Sequence, residues 1–337
     1  MTCASILWLR PPKGKVSVRR EQIAEYLRPR GFEVDLRDAT PGNLLSVTTA
    51  LARSRYDVLI GNVRGGLYAG YPMALATRTP FVADVSDPIS DIDHLPAPIF
   101  RALARYESWI LDRATEAVYV PEVYRHVAEG TDRRVAPNAV DFEKFAEPNP
   151  DAVDRAGDLL ASEGVDLDHP IALYVGVLSE GRNVETILDA ARQVPNWQVV
   201  FVGEGRLSET VERASDAVEN VFWPGAFEHD LMPGFMAHAT VGFCLVDIER
   251  PIKIAEYGAA GLPVLGIPGK LQTEFSNEQI CFVDPTPNAV ATALSRLDDA
   301  PERSQAYAAA LRADAREHSW SSVADVYEAA IEARLGR

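Results

Sequence analysis

The chain is 337 residues long, enough for two domains of ordinary size, and 47% of it is hydrophobic, enough for real cores. It carries 49 acidic and 33 basic residues, a formal net charge of −16 spread along its length, which reads as an acidic solvated surface and argues against a general nucleic-acid binder. No run reaches the roughly 20 apolar residues of a membrane span, and the opening MTCASILWLRPP lacks a basic n-region and a small-residue cleavage site, so it reads as a first strand. Cys3, Cys244 and Cys281 are far apart and lie in strand-like runs, which predicts buried thiols in a reducing cytoplasm.

Strand and helix patterns alternate from the start, the signature of α/β with parallel sheets. ASILWL is a strand, RPPKGKVS a loop and VRREQIAEYLRPR a helix; Gly31 ends that helix before the strand FEVDLRD. LLSVTTALARSR is helical, YDVLIGN a strand, YAGYPMALATR helical and PFVADVSD a strand. A long amphipathic helix, IFRALARYESWILDRA, precedes the strand TEAVYVP, the short helix EVYRHVAEG and a last short strand, RRVAPN. AEPNPDAVDRAGDLLASEGVDLDHP is Pro- and Asp-rich and reads as a polar boundary. A second series follows, with strands IALYVGVL, WQVVFVGEG, VENVFWPG, TVGFCLV, LPVLGI and QICFVD. PNAVATALSRL, PERSQAYAAALRADAREH and a closing SWSSVADVYEAAIEARLG capped by Ser319 are helical.

Two similar α/β halves joined by a polar stretch suggest a cleft, and ligands of open parallel sheets bind at the carboxyl ends of strands. The motifs that matter therefore follow strands. YVGVLSEGRN ends a strand with Gly176 and reaches Arg182 at a helix start; glycine lets a ligand approach the backbone, and such an arginine can clamp phosphate, although a tight turn with a solvated Arg reads equally. FVGEG places Gly203 and Glu204 after another strand, without the spacing of a dinucleotide fingerprint. In RPIKIAEYGAAGLPVLGIPG, Pro251 suits a first helical position and Gly261 the residue after the last. Lys253 and Glu256 then share one face. A cation in a first turn opposes the helix dipole, so it reads either as half of a surface ion pair or as one holder of a diphosphate, with Glu256 accepting from a ribose diol.

Together these stretches resemble a known family, the glycosyltransferases of the GT-B fold, particularly the large family 4 group that uses nucleotide-sugar donors. The likeness covers nearly the whole chain. Its most specific pieces are APNAVDFEKF, similar to P-N-G-V-D-x-x-x-F, and RPIKIAEYGAAGLPV, similar to P-x-K-x-x-E-Y-x-A-x-G-x-P-V. The resemblance implies two Rossmann-like domains with parallel sheets facing an interdomain cleft. The N-terminal acceptor domain would span residues 1–147, joined by the closing helix 319–337, and the donor domain residues 148–318. It implies that Arg182 and Lys253 neutralise the donor diphosphate and its growing charge in the transition state. It further implies that Glu256 holds the ribose, that Gly176, Gly203 and Glu204 line the donor pocket, and that Gly14 faces the phosphate or acceptor.

Several positions depart from the family pattern. Val177 stands where arginine is common, Ala139 where glycine is usual, and Ile248 where many members carry a second glutamate near the donor sugar. In FVADVSDPISD no histidine stands near Asp87, which can instead position the sugar or act as a base. DID at 91–93 matches an Asp-x-Asp metal motif only superficially. Arg101, Arg105 and Trp109 suit either an ordinary core-facing helix or a lipid-linked acceptor and membrane face. The expectation is a cytoplasmic, metal-independent glycosyltransferase, without a resident cofactor, that moves a sugar from a nucleotide diphosphate to a hydroxyl of a glycan or lipid-linked glycan. Retention follows from the resemblance alone, as does a peripheral contact with the inner face of a membrane from the lipid-linked acceptor. The alternatives are a sugar-nucleotide epimerase of the same fold and an inert nucleotide-binding scaffold.

Overall fold

A computed structural model describes residues 4–10, 18–53, 55–87, 89–92, 94–114, 116–124 and 133–336. It divides into two compact units, Met1–Asn138 with Trp320–Arg337, and Ala139–Ser319.

The first unit contains β1 (Ala4–Arg10), β2 (Phe32–Asp38), β3 (Val58–Asn62), β4 (Phe81–Val85), β5 (Ala117–Tyr119) and β6 (Arg133–Val135) in one sheet, ordered β2-β1-β3-β4-β5-β6. All pairings are parallel. The order follows composition. ASILWLR is apolar almost throughout and lies centrally, buried on both faces, whereas FEVDLRD alternates and takes the edge. The helices are α1 (Val18–Leu27), α2 (Pro41–Ala52), α3 (Val63–Thr77), α4 (Ala97–Leu111) and α5 (Pro121–Tyr124). Helix α3 starts earlier than the predicted YAGYPMALATR, immediately after β3, with Gly65 and Gly66 in its first turn. A β carbon on Gly66 would sit 2.2 Å from the Leu9 carbonyl oxygen, so this glycine permits a close approach to β1.

The second unit contains β7 (Ile171–Val175), β8 (Gln198–Val202), β9 (Val221–Gly225), β10 (Val241–Cys244), β11 (Val264–Gly266) and β12 (Cys281–Phe282), ordered β12-β11-β10-β7-β8-β9 and again parallel. Its helices are α6 (Phe142–Ala146), α7 (Pro150–Ser162), α8 (Val184–Ala191), α9 (Ser208–Ala217), α10 (Met232–Ala237), α11 (Ile252–Ala259), α12 (Pro287–Asp299) and α13 (Pro301–Glu317). The stretch expected as a polar boundary is largely α7, which buries Ala156, Gly157 and Leu160 and packs on α10. Its Pro and Asp residues serve the helix start, where the Asn149 side chain accepts from the Asp151 amide at 2.9 Å. Residues 139–147, grouped with the first domain on sequence, lie in the second unit because Phe142 and Phe145 enter its core.

The closing helix α14 (Trp320–Leu335) belongs to the first unit. The Tyr327 ring packs at a tilt against Trp8, 5.1 Å between centres, and its hydroxyl donates to Asp84 Oδ1 at 2.8 Å. Cys244 is buried and Cys281 half-buried; Cys3 lies outside the described residues. Among the described residues no helix is long and apolar enough to cross a membrane.

Candidate functional site

In the second unit the carboxyl ends of β7, β8 and β9 are stitched together by backbone. Gly176 N–H donates to Val202 O at 2.9 Å, Leu178 N–H to Glu204 O at 2.9 Å and Gly203 N–H to Gly225 O at 2.8 Å. Gly176 has φ +140° and Gly203 φ +146°, conformations open to glycine. A β carbon on Gly203 would lie 1.9 Å from Gly176 O. Gly176 and Gly203 are thus one construction, and Glu204 beside them is exposed.

Helix α11 is seated against this end by Tyr257. Its hydroxyl accepts from Val175 N–H at 3.0 Å and donates to Leu173 O at 3.1 Å, so it lies within the β7 edge that faces β10. Gly242 on β10 makes room, since a β carbon there would meet the Tyr257 ring at 2.7 Å. Ahead of the helix, Arg250 bonds Asp314 of α13, approaches His318 Nδ1 at 3.0 Å and lies over Phe275 at 4.8 Å. Pro251 is the N-cap rather than the first helical residue, and Gly261 has φ +75° just past the end.

This seating puts Lys253 under the strand ends. Its Nζ lies 4.6 Å from the centre of the Tyr174 ring and packs on Gly176, where a β carbon would come within 2.6 Å of it. The ammonium is buried and has no hydrogen-bond partner among the described residues. Burial pushes its pKa down to about 8; Cys244 opposes that, the positive charge of Arg182 adds to it, and Glu256 opposes it least. Arg182 is therefore close. Its loop is held by Asn183, which adopts φ +54° and donates from Nδ2 to Leu245 O at 2.7 Å. Two cations converge where no carboxylate bonds the ammonium, and such a place attracts an anion.

Lys253 and Glu256 do not form the surface pair that their spacing allows. Glu256 is buried, and its Oε1 lies 2.7 Å from His229 Nε2. Its other oxygen bonds no described residue. His229 packs edge-on against Phe145 at 5.7 Å, and the adjacent Asp230 pairs with Lys144 at 2.5 Å. Sequence reasoning missed His229, since one histidine in a loop between β9 and α10 carries no pattern. It also missed the roles of Asn183, Arg250 and Tyr257. Val177 and Ile248 stand 49% and 38% exposed in the loops after β7 and β10, so both departures from the family pattern present apolar surface.

In the first unit Asp87 is exposed just after β4. The buried carboxylate there is Asp84, 1% exposed, which accepts from Asn62 Nδ2 at 2.7 Å and pairs with Arg20 at 3.7 Å. Gly14 and Asp93 lie outside the described residues. Among the described residues no group of three or more His, Cys, Asp or Glu is arranged to hold a metal. Trp109 packs on Tyr71 at 5.6 Å and Tyr106 at 6.0 Å, with Arg113 over its ring at 4.8 Å; Arg101 and Arg105 are exposed.

Residues 169–299 match the model of the family described as glycosyl transferases group 1. Among solved structures, HepE from Anabaena in complex with UDP-glucose is 14% identical with a TM-score of 0.75, the match covering 97% of this chain and 99% of that one. Sucrose-phosphate synthase from Thermosynechococcus elongatus is 18% identical with a TM-score of 0.76, covering 98% and 100%. A glycosyltransferase from Rickettsia africae is 14% identical with a TM-score of 0.77, covering 98% of each. No curated protein sequence matches the chain.

Proposed function

We propose that this chain, which has the fold of GT-B structures and matches the group 1 glycosyltransferase model over residues 169–299, is a glycosyltransferase. It moves a sugar from a nucleoside diphosphate donor to a hydroxyl of a glycan or lipid-linked glycan, with retention at the anomeric carbon. One observation carries the donor half: the buried Lys253 ammonium, without a partner among the described residues, with Arg182 beside it at the carboxyl ends of β7 and β10. A diphosphate supplies the missing negative charge. As the glycosidic bond breaks, charge accumulates on the leaving diphosphate, so both cations stabilise the transition state more than the bound donor. Glu256, held by His229, accepts hydrogen bonds from the ribose hydroxyls, and Gly176, Gly203 and Glu204 line the nucleoside side. Uridine is the favoured base, since HepE is described with UDP-glucose and with UDP.

For the acceptor half, Asp87 positions the sugar, the role of acceptor base being reserved for an inverting reaction; the resemblance also assigns Gly14, which lies outside the described residues, to the phosphate or acceptor. No metal is assigned to the diphosphate, because two cations already face it. Retention and the lipid-linked acceptor rest on the family resemblance, and membrane contact through Arg101, Arg105 and Trp109 rests on charge and exposure.

Thermal-shift titration with UDP, GDP, ADP and their sugar conjugates tests the donor half. A ligand that binds only the native state raises the melting temperature with concentration. A shift with one base that disappears in Lys253→Ala supports the reading. No shift with any of them, in folded protein, removes it. Turnover of donor without an acceptor, giving an isomeric sugar nucleotide, would instead favour the epimerase.

His229→Ala is expected to weaken nucleotide binding about tenfold, the worth of one hydrogen bond to a charged group. His229→Gln, which can still donate, recovers part of it. Equal nucleotide affinity in all three proteins, measured by calorimetry, would separate His229 from Glu256.

A further inference from the structure

The second unit also holds a cavity of about 750 Å³ at its β12 edge, lined by Cys281, Thr286, Thr292, Arg296, Arg303 and Tyr307 among others. That volume falls within the range of small-molecule sites, roughly 300–1,000 Å³. β12 is the outermost strand of its sheet, beyond β11, while the Lys253 ammonium lies under the ends of β7 and β10. The two places are separate parts of the unit.

Arg296 and Arg303 are the two basic residues of the lining, both exposed, in a chain where acidic residues outnumber basic ones, 49 to 33. Arg296 forms neither a hydrogen bond nor an ion pair with any described residue. Arg303 bonds only the Tyr307 hydroxyl, from Nε at 3.2 Å and Nη2 at 3.0 Å. Asp284 is the one acidic residue in the lining and pairs with neither. The Tyr307 bonds fix one edge of the Arg303 fork. The remaining guanidinium donors suit the oxygens of a phosphate or carboxylate. Burial pushes the Cys281 thiol up in pKa, and Arg303, Tyr307 and Arg296 all act against that burial, so these groups converge on one thiol.

We propose that this cavity is a second ligand site, for a small oxyanion-bearing metabolite held by Arg296 and Arg303, distinct from the nucleotide site. Its walls connect to the chemistry. Helix α13, which carries Arg303, packs on α11 so closely that a β carbon on Gly258 would meet Leu311 at 2.8 Å. The same helix supplies Asp314 to Arg250, just ahead of α11. An anion drawn onto Arg303 therefore loads the helix that braces Lys253.

The test uses the full chain at constant ionic strength. Inorganic phosphate and citrate are titrated separately, reading melting temperature and the rate of iodoacetamide alkylation at Cys281, located by peptide mapping. The wild type is expected to gain several degrees with at least one anion, with alkylation slowed severalfold. The Arg296→Gln/Arg303→Gln double variant loses the slowing of alkylation, and Lys253→Met keeps it. Phosphate alone acting assigns a phosphorylated ligand, and citrate alone a polycarboxylate. The proposal falls if neither anion slows alkylation at Cys281, if the double variant is still protected with its own melting transition intact, or if the protection follows Lys253 instead. Because Lys253→Met removes only the nucleotide site, failure here leaves the transferase reading standing.

Discussion

Lys253→Met is expected to lower donor turnover about 10²-fold or more while raising the stability of the ligand-free protein. The first effect is the loss of a charge contact that strengthens in the transition state. The second follows from the burial that pushes the Lys253 pKa to about 8 from 10.5. Between those two values the unfolded chain keeps a proton that the folded chain has released. Stability therefore rises with pH across that window, and below about 8 the cost of the buried charge stands in full. Removing the charge at pH 7 is expected to stabilise by about 1–3 kcal/mol. Nucleotide affinity of the wild type runs the other way, weakening as pH rises through about 8 because the deprotonated amine no longer attracts phosphate. Lys253→Arg, charged throughout, should flatten that pH profile even if its bulk lowers affinity. Calorimetry across pH 6.5–9.5 together with thermal melts checks both signs. A variant that is inactive and also destabilised would mean that Lys253 braces the fold instead of waiting for an anion.

Gly203→Ala is the second large effect. The new methyl would lie 1.9 Å from the Gly176 carbonyl oxygen, a backbone atom that cannot rotate away, at φ +146°. Clash and backbone strain together are expected to cost about 2–4 kcal/mol. Relief comes only by parting the ends of β7 and β8, which carries Gly176 off the Lys253 ammonium. Nucleotide binding should therefore fall together with the melting temperature. Gly181→Ala is the control. It also has positive φ, +78°, but its β carbon meets nothing within 4 Å, so it bears strain alone and should keep nucleotide affinity. Equal behaviour of the two variants would show that the Gly176–Gly203 contact has no special part in the site.

Helix α4 packs as its period allows, with Trp109 against Tyr71 and Tyr106.

Local pattern alone determines a good deal of this protein. Alternation of apolar runs with amphipathic stretches specifies parallel α/β units, because each parallel pair needs a crossover helix. Gly176, Arg182, Gly203 and Lys253 were legible as strand-end residues whose types suit an anion. Tertiary structure decided their meaning. The Lys253–Glu256 spacing fits a surface ion pair equally well, and only the Tyr257 anchor turns that face of α11 inward, giving Glu256 to His229 and leaving the ammonium without a partner among the described residues. The start of α3 and the stretch that forms α7 were misread for the same reason. A glycine pair or a Pro- and Asp-rich start is a breaker by composition, and becomes a helix when a neighbouring strand or helix rewards the close approach. Arg296 and Arg303 are ordinary surface residues in the sequence. Which cations find carboxylates and which do not depends on distances between segments far apart in the chain, and no local pattern records those distances.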